Sequence, residues 1–251
     1  MWPKNEKQEK LIQLARTIAS KIESTSALHD QNGTFPHEHF AFMRRKGYLH
    51  ASVPVEYGGP GHGLTDLVLA QHEIGTGDGS TAVSIGMHHM LVGTESESRR
   101  WPEELRKRIF TEIVNDGALV NNIASEPDLG SPRGGGRPAT NLTPGRQGKW
   151  ILNGRKTWST LAPELSYAIT FAAVEDGSGD IARIAQRMGS EGISIEETWD
   201  SMSMRGTGSH DIVFANVMLD DADFVGRANP KNPAEVSPDG AAWFPLLLSA
   251  A

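Results

Sequence analysis

Residues 121–131 read Asn-Asn-Ile-Ala-Ser-Glu-Pro-Asp-Leu-Gly-Ser, and residues 153–160 read Asn-Gly-Arg-Lys-Thr-Trp-Ser-Thr. Both segments mix strand-forming residues with turn residues, so each is expected to carry the end of a strand. Each also places a hydroxyl side chain beside backbone N–H groups, and Trp158 adds a flat apolar face. Such groups can bind the edge and the face of a planar heterocycle with carbonyl and ring-nitrogen acceptors. The two segments are therefore predicted to form one wall of a cofactor site.

The composition indicates a water-soluble chain. It has 251 residues, of which 38% are hydrophobic and 22% charged, with a formal net charge of -7. This length fits one large domain or two small ones. Because the chain has no basic field, nucleic acid is not an expected partner. The lack of cysteine excludes disulfides, thiolate metal sites and a cysteine nucleophile, and it suits a reducing cytosol.

No segment has the pattern of a secretory signal or a membrane span. The first ten residues are hydrophilic and mixed in charge. The most apolar stretch, residues 82–92, is interrupted by Gly86, His88 and His89, and it falls short of the roughly 20 apolar residues that span a bilayer. The sequence therefore predicts a cytoplasmic protein without membrane insertion.

Residues 1–117 have helical periodicity and are predicted to form an all-helical domain. Thr65 and Ser80 are interpreted as N-caps, and Pro36 and Pro102 as residues of a first helical turn. The expected helices cover residues 5–24, Pro36 to Gly47, Thr65 to Ile74, Ser80 to about Leu91, and Pro102 to Gly117.

Residues 118–227 are predicted to form a β domain, an antiparallel sheet or small barrel. The predicted strands are 118–125, 149–153, 167–174, 193–198 and 211–219, separated by turns such as Asn153-Gly154, Asp176-Gly177 and the glycine run 133–137. Residues 228–240 read as a linker, and 241–251 as the beginning of another helix. Residues 228–251 are thus predicted to form a linker and the start of a third, helical domain. That apolar helix is expected to have nothing to pack on, which indicates a truncated polypeptide or a missing partner surface.

A third segment, residues 204–211, reads Met-Arg-Gly-Thr-Gly-Ser-His-Asp and precedes the apolar run 212–219. In order and spacing, the three segments resemble motifs of the acyl-CoA dehydrogenase family, including Thr/Ser-Glu-Pro-x-x-Gly-Ser and Asn-Gly-x-Lys-x-Trp-x-Thr. The resemblance implies an α+β multidomain fold, with an all-helical N-terminal domain followed by an antiparallel β-barrel domain that binds flavin. Family members continue into a C-terminal helical bundle, so the chain is expected to be truncated where that bundle begins.

The resemblance also implies FAD as the cofactor. The backbone around Ala124 and Ser125 would bind the pyrimidine ring, with the Ser125 hydroxyl near N5. Gly130 and Ser131 would lie along cofactor and substrate phosphates, and Ser131 and Arg205 are expected at the substrate. The implied cofactor-binding residues are Asn122, Ala124, Ser125, Gly130, Ser131, Trp158, Ser159 and Thr160.

Simpler interpretations exist for several of these features. Without the motifs, Ser125 is typical of a hydroxyl that caps a turn, and Trp158 of a core aromatic. The glycine run lacks the spacing of a phosphate loop and favours a flexible hairpin. Residues 206–209 lack the third glycine of a dinucleotide fingerprint, so Arg205 and Ser209 are interpreted as structural or as the rim of the acyl pocket. No metal site is predicted, because His37 and His39 lie two residues apart on a helix and His88 and His89 are adjacent, so neither pair shares a helical face.

The family's reaction removes a proton next to a thioester carbonyl and passes hydride from the neighbouring carbon to flavin N5. Its base is a glutamate of the C-terminal bundle, so no catalytic residue is assigned here and the base is expected beyond Ala251. The implied partners are an acyl-CoA or related small molecule, electron-transfer flavoprotein or another acceptor, and further copies of the full-length chain in a homo-oligomer. Fatty acid metabolism is the implied setting.

Two departures from the family pattern keep other functions open. Pro132 and Arg133 follow the Gly-Ser pair, where the family often has Asp. The last helix has residues 243–245 as Trp-Phe-Pro, where many relatives place an Asp and an Arg that hold the pantetheine arm. A flavin-dependent monooxygenase on the same fold, which does not use the glutamate, is one alternative. A non-catalytic remnant that binds flavin or a partner is another.

Overall fold

The computed structural model of the protein describes residues 3–128, 136–230 and 242–250. Its helices are α1 Glu6–Asn32, α2 His37–Arg45, α3 Leu64–Gly77, α4 Gly79–Ser98, α5 Glu103–Asp116 and α6 Trp243–Ala250. Its strands are β1 Val120–Ile123, β2 Asn141–Pro144, β3 Trp150–Ser159, β4 Tyr167–Val174, β5 Ile181–Arg187, β6 Ile193–Glu196, β7 His210–Leu219 and β8 Phe224–Ala228. Helices thus precede the sheet, as the sequence predicts.

Helix α1 is longer than its predicted span of residues 5–24. Its N-terminus is capped by the Asn5 side chain, which accepts a hydrogen bond from the Gln8 amide at 2.9 Å. It ends at Gly33, whose φ of +63° lies in the left-handed region that favours glycine. Because the polar residues before Gly33 contain no helix breaker, the helix continues past its apolar stripe to that cap.

Two predicted caps are wrong by two residues. Helix α4 is capped by Asp78, not Ser80, because the Asp78 carboxylate accepts from the amides of Ser80 at 3.3 Å and Thr81 at 2.9 Å. Helix α3 follows Gly63 without a side-chain cap, so Thr65 lies inside the helix. Helix α4 also continues to Ser98, beyond the predicted end at Leu91.

The β domain is an open, mixed sheet in the order β6-β7-β3-β2-β4-β5-β8, with β1 also paired to β4. Most neighbours are antiparallel, but β1 and β2 both pair with β4 in parallel. Strands β2, β5 and β8 have no counterpart among the predicted strands. The fold class is confirmed as a helical domain followed by a β domain. The word barrel describes the sheet loosely, because no pairing among the described strands closes it.

The Asn153-Gly154 pair does not form the predicted hairpin turn. It lies within the long strand β3, at a register shift between Leu152 and Gly154 in the pairing with β7. Gly154 has a φ of +144°, and a Cβ there would lie 2.6 Å from the backbone of Thr140. The pair therefore forms a bulge, where glycine permits close approach of β2.

Helix α4 and strand β1 join the helical part to the sheet. His88 of α4 accepts a hydrogen bond from the Val120 amide through Nδ1 at 3.1 Å and donates from Nε2 to the Leu49 carbonyl at 2.8 Å. Buried apolar residues of the helices and of the sheet form a shared core cluster. The domain limits at residues 117 and 227 stay predictions.

The prediction that the last helix has nothing to pack on is wrong. Trp243 and Leu247 are each 1% exposed and belong to the core cluster, and α6 contacts α3 and α4. Trp243 lies directly over Gly93 of α4, where any larger side chain would overlap the indole. Among the described helices, none is both long and apolar enough to cross a membrane.

Candidate functional site

A cavity of about 600 Å³, the main cavity, lies between α4 and the ends of β1 and β3. Most residues on the sheet side are polar or aromatic; they are Asn121, Asn122, Ile123, Ala124, Ser125, Thr157, Trp158 and Thr160. The α4 side contributes Met87, Met90, Leu91, Thr94, Glu95 and Ser98. One wall is therefore suited to a polar planar ring, and the opposite wall is more apolar.

The two segments predicted to form one wall do meet. The Thr157 amide donates to the Ser125 carbonyl at 2.9 Å, which ties the end of β1 to β3. Trp158 follows with a φ of +54°, a left-handed conformation that a bulky residue rarely adopts. Its side chain is 61% exposed and lies between the main cavity and a second cavity of about 530 Å³. An indole held open in this way is available for stacking.

A buried ion pair supports this wall from behind. Lys156 is fully buried, and its Nζ donates to Glu126 Oε1 at 2.7 Å and to the Ala124 carbonyl at 3.4 Å. The other Glu126 contacts are the amides of Ala139 at 2.7 Å and Thr140 at 3.0 Å. Burial opposes ionisation of Glu126, but these hydrogen bonds hold its pKa below its usual value. The pair therefore holds β1, β2 and β3 together beside Ser125.

A chain of hydrogen-bonded hydroxyls determines whether the Thr160 hydroxyl donates or accepts in the cavity. The Thr207 hydroxyl donates to the Met204 carbonyl at 3.0 Å. Since a hydroxyl has a single hydrogen, Ser209 must donate to Thr207 at 2.7 Å, and Thr160 must donate to Ser209 at 2.9 Å. Thr160 Oγ1 keeps a free lone pair, with which it can accept a hydrogen bond from a ligand.

Two asparagines add further acceptors. Asn121 donates from Nδ2 to the Thr160 carbonyl at 2.9 Å, which orients its Oδ1. The Oδ1 atoms of Asn121 and Asn122 are buried and have no hydrogen-bond partner among the described residues. A buried acceptor without a donor is unfavourable, so a bound donor would stabilise the site.

On the helix side, Glu95 is the one carboxylate among the described residues that line the main cavity. It is 2% exposed and accepts from the amides of Arg100 at 3.1 Å and Trp101 at 3.0 Å and from Arg106 Nη1 at 3.2 Å. Burial raises the pKa of Glu95, against these hydrogen bonds. Its oxygens are thus used to shape the turn after α4.

Two of the remaining predicted site residues, Ser159 and Arg205, do not line the main cavity. Ser159 is 1% exposed and its side chain lies in the interior. Arg205 donates to the carbonyls of Asp30 at 2.7 Å and Ser201 at 2.9 Å, so it ties its turn to the end of α1. Gly130 and Ser131, together with Pro132 and the first part of the glycine run, lie outside the described residues.

Sequence reasoning missed Phe171, Arg183 and Arg100, which also line the main cavity. Phe171 and Arg183 are direct partners on β4 and β5. Since β5 has no clear strand pattern, no sequence signal placed Arg183 near the other residues.

Sequence reasoning also missed a cluster formed by His29, Glu38 and His39, whose ligand atoms lie within 4.8 Å of one another. The two histidines come from different helices, which a pairwise search along the chain does not detect. Both nitrogens of His39 contact hydroxyls, Thr25 at 2.7 Å and Thr81 at 2.8 Å. His29 Nε2 contacts Glu38 at 2.6 Å. The cluster is therefore a hydrogen-bonded link between α1, α2 and α4.

The main cavity fits a flavin. An isoalloxazine ring needs a flat apolar contact, acceptors for its N3–H and donors for its carbonyls. Trp158 offers the flat contact, Asn122 and Thr160 offer acceptors, and the Ser125 hydroxyl can donate. Among the described residues that line the main cavity there is neither the glycine loop nor the helix N-terminus of a dinucleotide fold.

Comparison with known proteins agrees with this assignment. The family description "Acyl-CoA dehydrogenase, N-terminal domain" matches residues 5–115, and "Acyl-CoA dehydrogenase, middle domain" matches residues 122–217. The Bacillus subtilis protein YdbM, provisionally named an acyl-CoA dehydrogenase, is 37% identical over 240 residues, which are 96% of this chain and 62% of that protein. The chain spans about three fifths of the length of this relative.

Solved structures give the same fold. KijD3 in complex with FMN and a dTDP-linked amino sugar has a TM-score of 0.81 at 27% identity, over 91% of this chain and 56% of that one. Butyryl-CoA dehydrogenase from Megasphaera elsdenii has a TM-score of 0.80 at 21% identity, over 92% of this chain and 61% of that one. The second likeness concerns the fold alone.

Proposed function

Because this chain belongs to the acyl-CoA dehydrogenase family, whose characterised members include flavoproteins, we propose that it binds FAD in the main cavity and takes part in α,β-dehydrogenation of an acyl thioester. The observation that carries the proposal is the meeting of the two predicted segments at Ser125, Thr157 and Trp158. We further propose an acyl-CoA as substrate, electron-transfer flavoprotein or another acceptor as partner, and fatty acid metabolism in the cytoplasm as the setting.

The chain's own residues would position the reactants. Trp158 would cover one face or edge of the ring, and Ser125, Thr160 and Asn122 would hold its polar edge. The methionines of α4 would line the acyl chain and exclude water. A bound flavin supplies hydride acceptance at N5. Glu95 is not the proposed base, because its oxygens already accept from three groups of the protein.

The first prediction concerns Trp158. Titration of the purified chain with FAD, followed by the flavin absorbance band, is expected to show saturable binding. Trp158→Ala is expected to weaken it about tenfold or more, because base–aromatic stacking contributes on the order of 1–3 kcal/mol. Trp158→Phe should retain most of the affinity, and Trp199→Phe, in the neighbouring cavity, is the matched control. A chain that leaves the FAD spectrum unchanged contradicts the proposal.

A second candidate is a flavin-dependent monooxygenase. It is favoured by the likeness to KijD3, whose structure holds FMN and a sugar nucleotide rather than an acyl-CoA. Anaerobic addition of a saturated acyl-CoA separates the two functions. Bleaching of the bound flavin supports the dehydrogenase. Bleaching by an external reductase alone, followed by oxygen consumption with an added substrate, supports the monooxygenase.

A further inference from the structure

Arg183 lies where the main cavity adjoins another cavity. This other cavity, of about 470 Å³, is formed by β5, β8 and the residues that follow β8, and we call it the junction cavity. Arg100, Phe171 and Arg183 line both cavities. The two spaces therefore share a wall that includes two arginines.

Within the part of the chain that the structure describes, the Arg183 side chain has no hydrogen bond and no ion pair. Arg227, which lines the same junction cavity on the neighbouring strand, contacts Asp176 at 2.5 Å and Asp180 at 2.6 Å. Burial lowers the pKa of Arg183, and the neighbouring charge of Arg100 lowers it further; the carboxylate that opposes this, Glu95, is already bound by Arg106. A largely desolvated cation without a counter-charge is unfavourable, and a bound anion would offset that cost.

The strand register places Arg183 relative to the predicted flavin wall. Ile123 pairs with Thr170, so Ala124 is next to Phe171, and Phe171 pairs with Arg183. Adjacent strands lie about 4.8 Å apart, so Arg183 is about 10 Å across the sheet from Ala124. All three residues line the main cavity. An anionic group on a ligand that contacts Ala124 can therefore reach the guanidinium.

We propose that this shared wall binds an oxyanion of the cavity ligand, with Arg183 as its principal contact and Arg100 beside it. The planar guanidinium suits a carboxylate or a phosphate, which it can bind through two parallel hydrogen bonds. Two sources have this chemistry, the phosphate of a bound flavin nucleotide and a carboxylate at the far end of the acyl chain. The second source rests on the proposed function.

The test compares matched pairs of ligands that differ in one anionic group. Binding of FMN and riboflavin, and of adipoyl-CoA and hexanoyl-CoA, is measured by calorimetry on the chain and its Arg183→Met variant. If the oxyanion is the flavin phosphate, Arg183→Met weakens FMN binding about tenfold or more and leaves riboflavin binding unchanged. If it is the substrate carboxylate, adipoyl-CoA is weakened by a similar factor and hexanoyl-CoA is not.

Controls separate this inference from the proposed function. Arg146→Met removes an exposed arginine of the same domain. It should change neither the ratio of FMN to riboflavin affinity nor the ratio of adipoyl-CoA to hexanoyl-CoA affinity. Arg183→Lys keeps the charge and should retain part of the preference for the ligand with the anionic group. A retained preference in this variant shows that the loss in Arg183→Met does not come from a folding defect. If neither flavin nor thioester binds, the proposed function fails, and free adipate and inorganic phosphate still test the site. Anion affinities that are equal in the chain and in Arg183→Met overturn the inference.

Discussion

At the scale of single residues, Lys156 and Glu126 form a buried ion pair with exposures of 0% and 3%. Removing two charges from water is costly, and here the cost is offset by the 2.7 Å contact and by two backbone amides that donate to Glu126. Removing one partner leaves the other charge buried without compensation. The pair lies beside Ser125, so the sheet side of the main cavity depends on it.

The second prediction follows from this pair. Lys156→Met is expected to lower the free energy of unfolding by about 3–5 kcal/mol, because Glu126 loses its counter-ion. The double variant Glu126→Gln/Lys156→Met is expected to lose less free energy of unfolding than Lys156→Met, because it leaves no unpaired buried charge. Urea denaturation followed by circular dichroism measures both. Lys149→Met, which breaks the exposed pair with Asp220, is the control and should cost less than about 1 kcal/mol. An equally small loss for Lys156→Met would contradict this account.

At the scale of elements, the contact between α4 and β1 depends on a neutral histidine. Nδ1 of His88 accepts from Val120 and Nε2 donates to Leu49, an arrangement that a protonated ring cannot make. Burial lowers the pKa of His88 to about 4. An unfolded histidine titrates near pH 6.5, so protonation favours the unfolded chain. The stability from this contact is complete above that pH and is lost as the pH falls toward 4.

The third prediction is a pH dependence of stability. Over the interval from about pH 7 to about pH 4, His88 alone is expected to remove about 3 kcal/mol from the free energy of unfolding. His88→Gln keeps a donor and an acceptor but does not titrate. Over the same pH interval, this variant should lose about 3 kcal/mol less free energy of unfolding than the unchanged chain. His72→Gln, at an exposed position on α3, is the control. Parallel pH curves for the chain and for His88→Gln would refute the assignment.

At the scale of the whole molecule, α6 closes one side of the main cavity. Phe244 lines the cavity while Trp243 and Leu247 are buried against the helical part. The close approach requires Gly93, since a Cβ there would overlap the Trp243 ring. The last helix therefore couples the helical core to the site.

The fourth prediction tests this packing. Gly93→Ala is expected to destabilise the protein by about 1–3 kcal/mol, although alanine favours helices, because overpacking displaces Trp243. Adding Trp243→Ala should remove most of the clash, and a double-mutant cycle from urea denaturation measures that coupling. Gly63→Ala, where a Cβ meets nothing within 4 Å, is the control. Independent, additive effects of the two substitutions would show that α6 does not pack on α4.

Local patterns predicted most helices but fewer strands. The apolar stripe of α1 was recognisable because helical periodicity is a local effect, but the end of the helix at Gly33 was not predicted. Strand β4 was predicted with its correct ends, since its apolar run is buried on both sides. Strands β2, β5 and β8 were missed because their residues become strands through pairing with neighbours.

The amino-acid sequence alone predicted the two-part architecture, the meeting of the segments around Ser125 and Trp158, and a wall suited to a planar heterocycle. Each depends on short-range preferences and motif spacing, which are written along the chain. Folding in three dimensions decided that Asn153-Gly154 is a bulge, that Trp243 packs on Gly93, and that Arg183 reaches the cavity. Those features join residues far apart in sequence, and their positions follow from strand register and close packing, which no local window contains.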